Sequence, residues 1–434
     1  MKVIKVGVLG LGTVGGGAAN ILINNADEIS RRSSCAIQLI QASVRNLDAD
    51  RLCDDTQFKL TTDPFEVVNN PDLDIIIETI GGETVAKELI LKAIENGKHV
   101  VTANKALIAL HGEEIFTAAE KNNVSVLFEA SVAGGINIVK DIREGLAANN
   151  IQLIAGIING TGNFILTEMR DKDRAFDDVL AEAQELGYAE SDPTFDVEGI
   201  DAGHKLAILA SIAYGIPLDF SKVYCEGISA LNLTDVAYAN ELGYRIKHLG
   251  IAKYYPDGIE LRVHPTLIPE KQLLANVDGV MNAVMMQGDA VGTTLHYGAG
   301  AGSSATASAI IADVIDISRA INSGVNYPVP AMGFEYLETL KIKEAKEFLS
   351  AYYLRVDVFD GVGIMSKLTT YFAEFEINLD AIIQKESNKG DRYISIIFLT
   401  EETLEGRINL LIDAIQENDY LSGDIVRIRL EHFD

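Results

Sequence analysis

The sequence predicts an α/β protein in three parts: a parallel sheet flanked by helices, an α+β middle region and a C-terminal βαββαβ unit. Three observations carry this. Short, mostly β-branched runs alternate with amphipathic stretches over the first third of the chain. Longer extended pieces between turns follow. The end of the chain then reads strand, helix, strand, strand, helix, strand.

Val3–Leu9 is an apolar run that ends at Gly10, where small residues open a helix. Ala36–Val44, Asp74–Ile80, His99–Ala103 and Ser125–Ala130 read as further strands, with Thr84–Glu95 and Gly112–Lys121 as helices among them. The pattern changes near Asn137. Ile151–Ile158 reads as a strand, and Ala175–Leu186 and Asp201–Tyr214 as helices. Residues 244–295 hold several extended pieces, and Gly298–Gly302 leads into Ala305–Ile321, a small-residue helix suited to packing back on the first domain. Gly324, Pro328, Pro330 and Gly333 mark a linker. The last elements are Tyr352–Phe359, Ile364–Glu374, Leu379–Glu386, Tyr393–Thr400, Thr403–Asn418 and Ile425–Glu431, a ferredoxin-like order. The expected domains are 1–136 with 300–325, then 137–299, a linker over 326–350, and 351–434.

With 434 residues and 48% hydrophobic content, the chain has room for two or three cores. Its 36 basic and 63 acidic residues give a formal charge of −27, which argues against nucleic acid or an anionic membrane as partner. Cys35, Cys53 and Cys225 form no CxxC pair and their number is odd, so a reducing, cytoplasmic setting is expected. No export leader is expected ahead of the first strand, and the apolar stretches are too short to span a bilayer. Asn159-Gly-Thr161 and Asn232-Leu-Thr234 fit the glycosylation pattern only by accident on that reading.

Gly10-Leu11-Gly12-Thr13-Val14-Gly15 is a GxGxxG turn between a strand and a helix. The first glycine permits the tight turn, the second lets a pyrophosphate reach the backbone, and the third lets helix and strand pack closely. A Rossmann-type dinucleotide domain follows. The second strand is followed by Arg45 rather than an acid, which favours a 2′-phosphate and hence NADP or dual use; the alternative is a solvated loop arginine. Thr102-Ala103-Asn104-Lys105 closes the fourth strand and aims Lys105 at the crevice. Thr79 and Gly302 join the cofactor-contact candidates.

Asp201 and Lys205 lie one helical turn apart. An ordinary surface ion pair would show the same spacing, but Leu206, Ile208 and Leu209 indicate a buried helix. Glu190, Asp192 and Asp196 precede it in an acid-rich loop. A lysine among buried acids can act as general acid toward a developing alkoxide. Glu190 suits a substrate ammonium. His99, His111 and the other histidines have no metal-ligand spacing, so no zinc site is expected.

Long stretches of the chain closely resemble the homoserine dehydrogenase family. They are Glu129-Ala-Ser-Val-Ala-Gly-Gly-Ile, Asn159-Gly-Thr-Gly-Asn163, Gly187-Tyr-Ala-Glu-Ser-Asp-Pro through Lys205, Thr102–Lys105, and Tyr297-Gly-Ala-Gly-Ala-Gly302. The likeness runs from residue 4 to about 322, and residues 351–434 resemble the ACT domain, an amino-acid-binding regulatory module. It implies reversible reduction of L-aspartate semialdehyde to L-homoserine with NADPH or NADH, in threonine, methionine and isoleucine biosynthesis. Lys205 matches the family's acid/base lysine, and Lys105 the lysine near cofactor and substrate. Glu190 and Asp201 match substrate-binding acids, with Asp196 and Thr161 added as substrate contacts. Glu129 and the carbonyls of Val132, Gly134 and Ile136 match a monovalent-cation site, typically sodium. Asp360, Gly363 and Asn378 are the effector candidates, with threonine as the implied effector and a homodimer or homotetramer as the implied assembly.

Asn137 and Ala305 replace prolines common in the family, and Asp360-Gly-Val-Gly363 lacks the proline of the usual ACT turn. An ACT domain that only dimerises is the alternative there. Aspartate semialdehyde dehydrogenase, the second enzyme reading, requires a nucleophilic cysteine, and none of the three has a catalytic neighbour in sequence. A non-catalytic nucleotide-binding sensor would be expected to lack the Glu190–Lys205 constellation. The first strand starts close to Met1, so no kinase domain is expected before it.

Overall fold

The computed structural model describes residues 2–325, 327–385 and 392–433. The chain forms two compact units. The first gathers the residues up to Gly160 with Asp201–Val223 and Val280–Leu340. The second gathers Thr161–Ile200, Tyr224–Gly279 and the chain from Lys341 onward.

The first unit begins β1 (Val3–Leu9), α1 (Thr13–Asn24), α2 (Ala26–Ser33), β2 (Ala36–Ser43), β3 (Lys59–Thr61) and α3 (Pro64–Asn69). Then come β4 (Ile75–Glu78), α4 (Thr84–Glu95), β5 (His99–Thr102), α5 (Lys105–Lys121) and β6 (Val126–Leu127). The six strands are parallel in the order β3-β2-β1-β4-β5-β6, the Rossmann arrangement, whose crevice lies at the carboxyl ends where the order reverses. One face packs Val6, Val8 and Ile77 against Ala18, Leu22, Ile310 and Val314; the other packs Ile76 and Val100 against Leu89, Ile90 and Ile115. The helix Ser303–Ser323 lies along α1, and the glycines of α1 permit this: a Cβ on Gly17 would stand 2.6 Å from Ser303 Oγ. Strand Met281–Gly288 pairs antiparallel with both Ile151–Ile157 and Gly292–Ala299.

In the second unit, Tyr244–Tyr255 and Gly258–Pro269 form a twelve-pair antiparallel hairpin. Val426–Leu430 pairs parallel with Gly258–Pro269 and antiparallel with Leu349–Phe359, which pairs with Tyr393–Thr400, and that strand with Leu379–Gln384. With helices Ile364–Glu374 and Glu405–Gln416 this is the expected ferredoxin-like unit. Glu386, placed at the end of its second strand from sequence, lies outside the described residues.

Two expectations change. Ser125–Ala130 is not one strand: β6 stops at Leu127, and Glu129–Ser131 turn as a 3-10 segment, because the Glu129 carboxylate bonds the amides of Val139 and Lys140. Lys105 does not end a strand. Asn104 Oδ1 accepts the Leu107 amide at 3.2 Å, so β5 stops at Thr102 and Lys105 opens α5 as its first helical residue.

Candidate active site

The glycine turn follows its sequence logic. Gly10 stands at φ +89, and a Cβ on Gly15 would lie 1.9 Å from the Gly10 carbonyl. Around Gly12 a Cβ would meet no protein atom within 4 Å, so the space above the turn is open for a pyrophosphate. Thr13 and Val14 begin α1, and Ser303 Oγ, next to Gly302, donates to the Thr13 carbonyl at 2.7 Å. Thr79 hydroxyl donates to the carbonyls of Leu9 and Gly10, so it fastens the turn itself. Arg45 is exposed on the loop after β2. The sequence reading missed Arg51, whose guanidinium donates to the Asn46 and Leu47 carbonyls and pairs with Asp55 at 2.6 Å, thereby shaping the loop that carries Arg45.

The helix Ile200–Tyr214 is buried from Asp201 to Ile212, so its ionisable residues are not a solvated face. Lys205 Nζ donates to Asp201 Oδ2 at 2.7 Å and to the Ile158 carbonyl at 2.6 Å. The other oxygen of Asp201 meets Lys105 Nζ at 2.9 Å, and Asn159 Nδ2 donates to Oδ2 at 2.8 Å. Burial pushes the Asp201 carboxyl up, but the charges of Lys205 and Lys105 outweigh it and hold the group well below the usual carboxylate range. One ionised carboxylate therefore bridges two lysines. Asn159 was missed as a site residue, although it opens the Asn-Gly-Thr-Gly-Asn motif.

In the second unit, Glu190 is exposed on a loop pinned by Gln184, whose amide donates to the Glu190 and Ser191 carbonyls. Asp196 is half-buried in the turn of helix Thr194–Val197. Thr161 donates to the Tyr188 carbonyl at 2.6 Å. Asp360 and Gly363 share the turn before helix Ile364–Glu374, where Gly363 sits at φ +87, and Asn378 Nδ2 donates to Glu401 at 3.2 Å.

Glu129 is buried in the first unit, and its amide donates to Asp313 at 2.9 Å. Burial, then the neighbouring Asp313, push its carboxyl up to about 8; burial pushes Asp313 up to about 7. Val132, Gly134 and Ile136 are buried beside it in sequence, in a turn with Ala133 at φ +54 and Gly134 at φ +49. Among the described residues no group of three or more His, Cys, Asp or Glu is arranged to hold a metal ion. All three cysteines are free. Among the described residues no helix is long and apolar enough to cross a membrane.

Comparison with known proteins adds a second line of observation. Residues 10–129 match the family model "Homoserine dehydrogenase, NAD binding domain", residues 138–315 match "Homoserine dehydrogenase", and residues 352–419 match "ACT domain". A homoserine dehydrogenase of Pseudomonas aeruginosa is 56% identical over 436 residues, covering 100% of both chains. One from Neisseria gonorrhoeae is 52% identical over 434 residues, covering 99% of each. The crystal structure of a homoserine dehydrogenase from Thiobacillus denitrificans superposes with a TM-score of 0.94 at 55% identity, covering 99% of each chain.

Proposed function

Because the chain belongs to the homoserine dehydrogenase family, we propose that Lys205 is its acid/base group and that Asp201 and Lys105 complete the catalytic centre. The enzyme is an NAD(P)-dependent oxidoreductase that interconverts L-aspartate semialdehyde and L-homoserine in threonine, methionine and isoleucine biosynthesis. The observation that carries the assignment is the Asp201 carboxylate clamped between Lys205 and Lys105 on a buried helix. Asp201 and the Ile158 carbonyl orient the Lys205 side chain, whose ammonium protonates the alkoxide in the reductive direction and whose neutral amine takes the hydroxyl proton in the oxidative one, directly or through water. The nicotinamide supplies and takes up the hydride when bound. Glu190, with Asp196 and Thr161, holds the substrate's ammonium end.

Gly10, Gly12, Thr13, Val14, Gly15, Thr79, Lys105 and Gly302 would hold the dinucleotide. The open space over Gly12 fits it, and the exposed Arg45 favours NADP. Glu129 with the Val132, Gly134 and Ile136 carbonyls is a fit for a monovalent cation, sodium, because a buried carboxylate beside a second acid is relieved by positive charge. Threonine is the proposed effector, at Asp360, Gly363 and Asn378; a Cβ on Gly363 would meet no atom, so the backbone there is open to approach. Strand Leu379–Gln384 is paired on one side only among the described residues, which favours a homodimer or homotetramer. The free cysteines favour the cytoplasm. The domains are taken as 1–136 with 300–325, 137–299, the linker 326–350 and 351–434.

NADP-linked oxidation of L-homoserine, followed by nicotinamide absorbance with and without L-threonine, tests this reading. Turnover suppressed by threonine is expected, and indifference to threonine would remove the effector assignment. Lys205→Ala should lower kcat by about 10²- to 10⁴-fold while leaving NADPH binding nearly intact; substantial turnover would exclude Lys205 as the acid/base.

A further inference from the structure

Glu78 ends β4 at the carboxyl edge of the Rossmann sheet, fully buried, with no basic side chain paired to it among the described residues. Its two oxygens act only as acceptors. Oε1 takes the amides of Ile80 at 2.9 Å and Gly81 at 3.0 Å, and Oε2 takes the Thr102 hydroxyl at 2.6 Å. Thr102 Oγ1 in turn accepts the Asn104 amide at 3.0 Å, and Asn104 Nδ2 donates to the Gly82 carbonyl at 2.7 Å. Asn104 then caps α5, whose first residue is Lys105. In the other direction the loop after β4 begins with Thr79, which is bonded to the glycine turn.

A continuous polar frame thus runs from Gly10 through Thr79, the loop to Gly82, Glu78, Thr102 and Asn104 to Lys105 and Asp201. We propose that Glu78 is a positioning residue that fixes Lys105 and the crevice loop 79–82 in one frame for hydride transfer. It touches neither substrate nor cofactor and acts through the residues it holds. The side-chain chemistry calls for an oxygen acceptor facing the two backbone amides, which a carboxylate supplies and a glutamine of the same length keeps at Oε1. The inference rests on the reading of Lys105 as part of the catalytic centre.

A double-mutant cycle between Glu78→Ala and Lys105→Ala tests it, with NADPH affinity from nucleotide fluorescence and kcat and KM for L-homoserine on folded enzyme. Glu78→Ala is expected to lower kcat at least about tenfold and to weaken NADPH binding by a smaller factor. Glu78→Gln should recover most of that loss, because it keeps the shape and an acceptor for the loop amides. In the Lys105→Ala background Glu78→Ala should cost little more, because the group it positions is gone. A loss of the same factor in both backgrounds, or wild-type kcat in Glu78→Ala, would overturn the proposal. Lys105→Ala with wild-type turnover would instead remove the reading of Lys105, and the proposal with it. If Glu78→Ala does not fold, Thr102→Val takes its place in the cycle with the same expected coupling.

Discussion

Asp201 faces two ammonium groups at 2.7 and 2.9 Å, and this makes its charge a structural quantity as well as a chemical one. Replacing it by asparagine keeps the shape and leaves two lysines opposed without their counter-charge, at a cost of about 3–5 kcal/mol. The pH dependence has a definite sign. A carboxylate whose folded pKa is depressed adds stability that is complete above the unfolded value, about 3.9, and is lost only as pH falls through the lower folded value. The asparagine side chain does not titrate, so the difference in urea-unfolding free energy between wild type and Asp201→Asn should stay level from about pH 8 to 5 and close only in stronger acid. A difference that already shrinks between pH 7 and 5 would contradict the bridged geometry. This pair was legible in the sequence because i, i+4 spacing and an apolar helix are local facts. Glu78 was not: its partners Thr102 and Asn104 lie more than twenty positions along the chain, and a lone acid at a strand end reads as a solvated edge.

The glycine turn separates two functions that sequence assigns together. Gly15 answers to the protein, since its Cβ would collide with the Gly10 carbonyl and Thr79 Oγ1; Gly12 answers to nothing in the protein within 4 Å. Gly12→Ala should therefore melt like wild type yet lose most of its NADPH affinity, whereas Gly15→Ala should lose both stability and binding. Unaltered NADPH binding in Gly12→Ala would show that the turn does not seat a pyrophosphate, and equal melting temperatures for the two variants would contradict the close packing at Gly15. Four of the six Rossmann strands were legible to within two residues, for instance Val3–Leu9 and His99–Thr102, while the short β3 went unread. The misread elements have polar causes. Periodicity could not show that Glu129 would capture the amides of Val139 and Lys140 and turn the chain after β6, or that Asn104 would cap a helix starting at Lys105. Each depends on one side chain reaching a backbone group, and the hydrophobic pattern carries no trace of it.

At the scale of the molecule, residues 352–419 match the ACT domain model, and they pack closely on the rest of the second unit. Arg429, fully buried, bonds Glu405 within the module and Glu226 outside it, and Arg427 also reaches Glu226. Buried Arg262 on the long hairpin is paired to Glu431 at 2.6 Å. Strand Val426–Leu430 hydrogen-bonds to Gly258–Pro269, and Tyr353, Ile397, Ile428 and Leu430 share a core with Ile165, Met169, Val236 and Ile246. Ending the chain at Ser350 would uncover that core, leave Arg262 and Glu226 without their partners across the cut, and expose a strand edge. The truncated protein should aggregate, or melt about 10 °C or more below the full chain, since several kcal/mol of buried pairing and packing are removed together. Arg429→Ala alone should destabilise the full chain by about 3 kcal/mol, because it takes from the buried Glu405 its nearest ion-pair partner and leaves only the longer contacts to Arg427 and Tyr352. A soluble truncated enzyme with an unchanged melting temperature and kcat would show the module to be separable; the shared core and buried pairs instead make its folding part of the folding of the residues that carry Glu190.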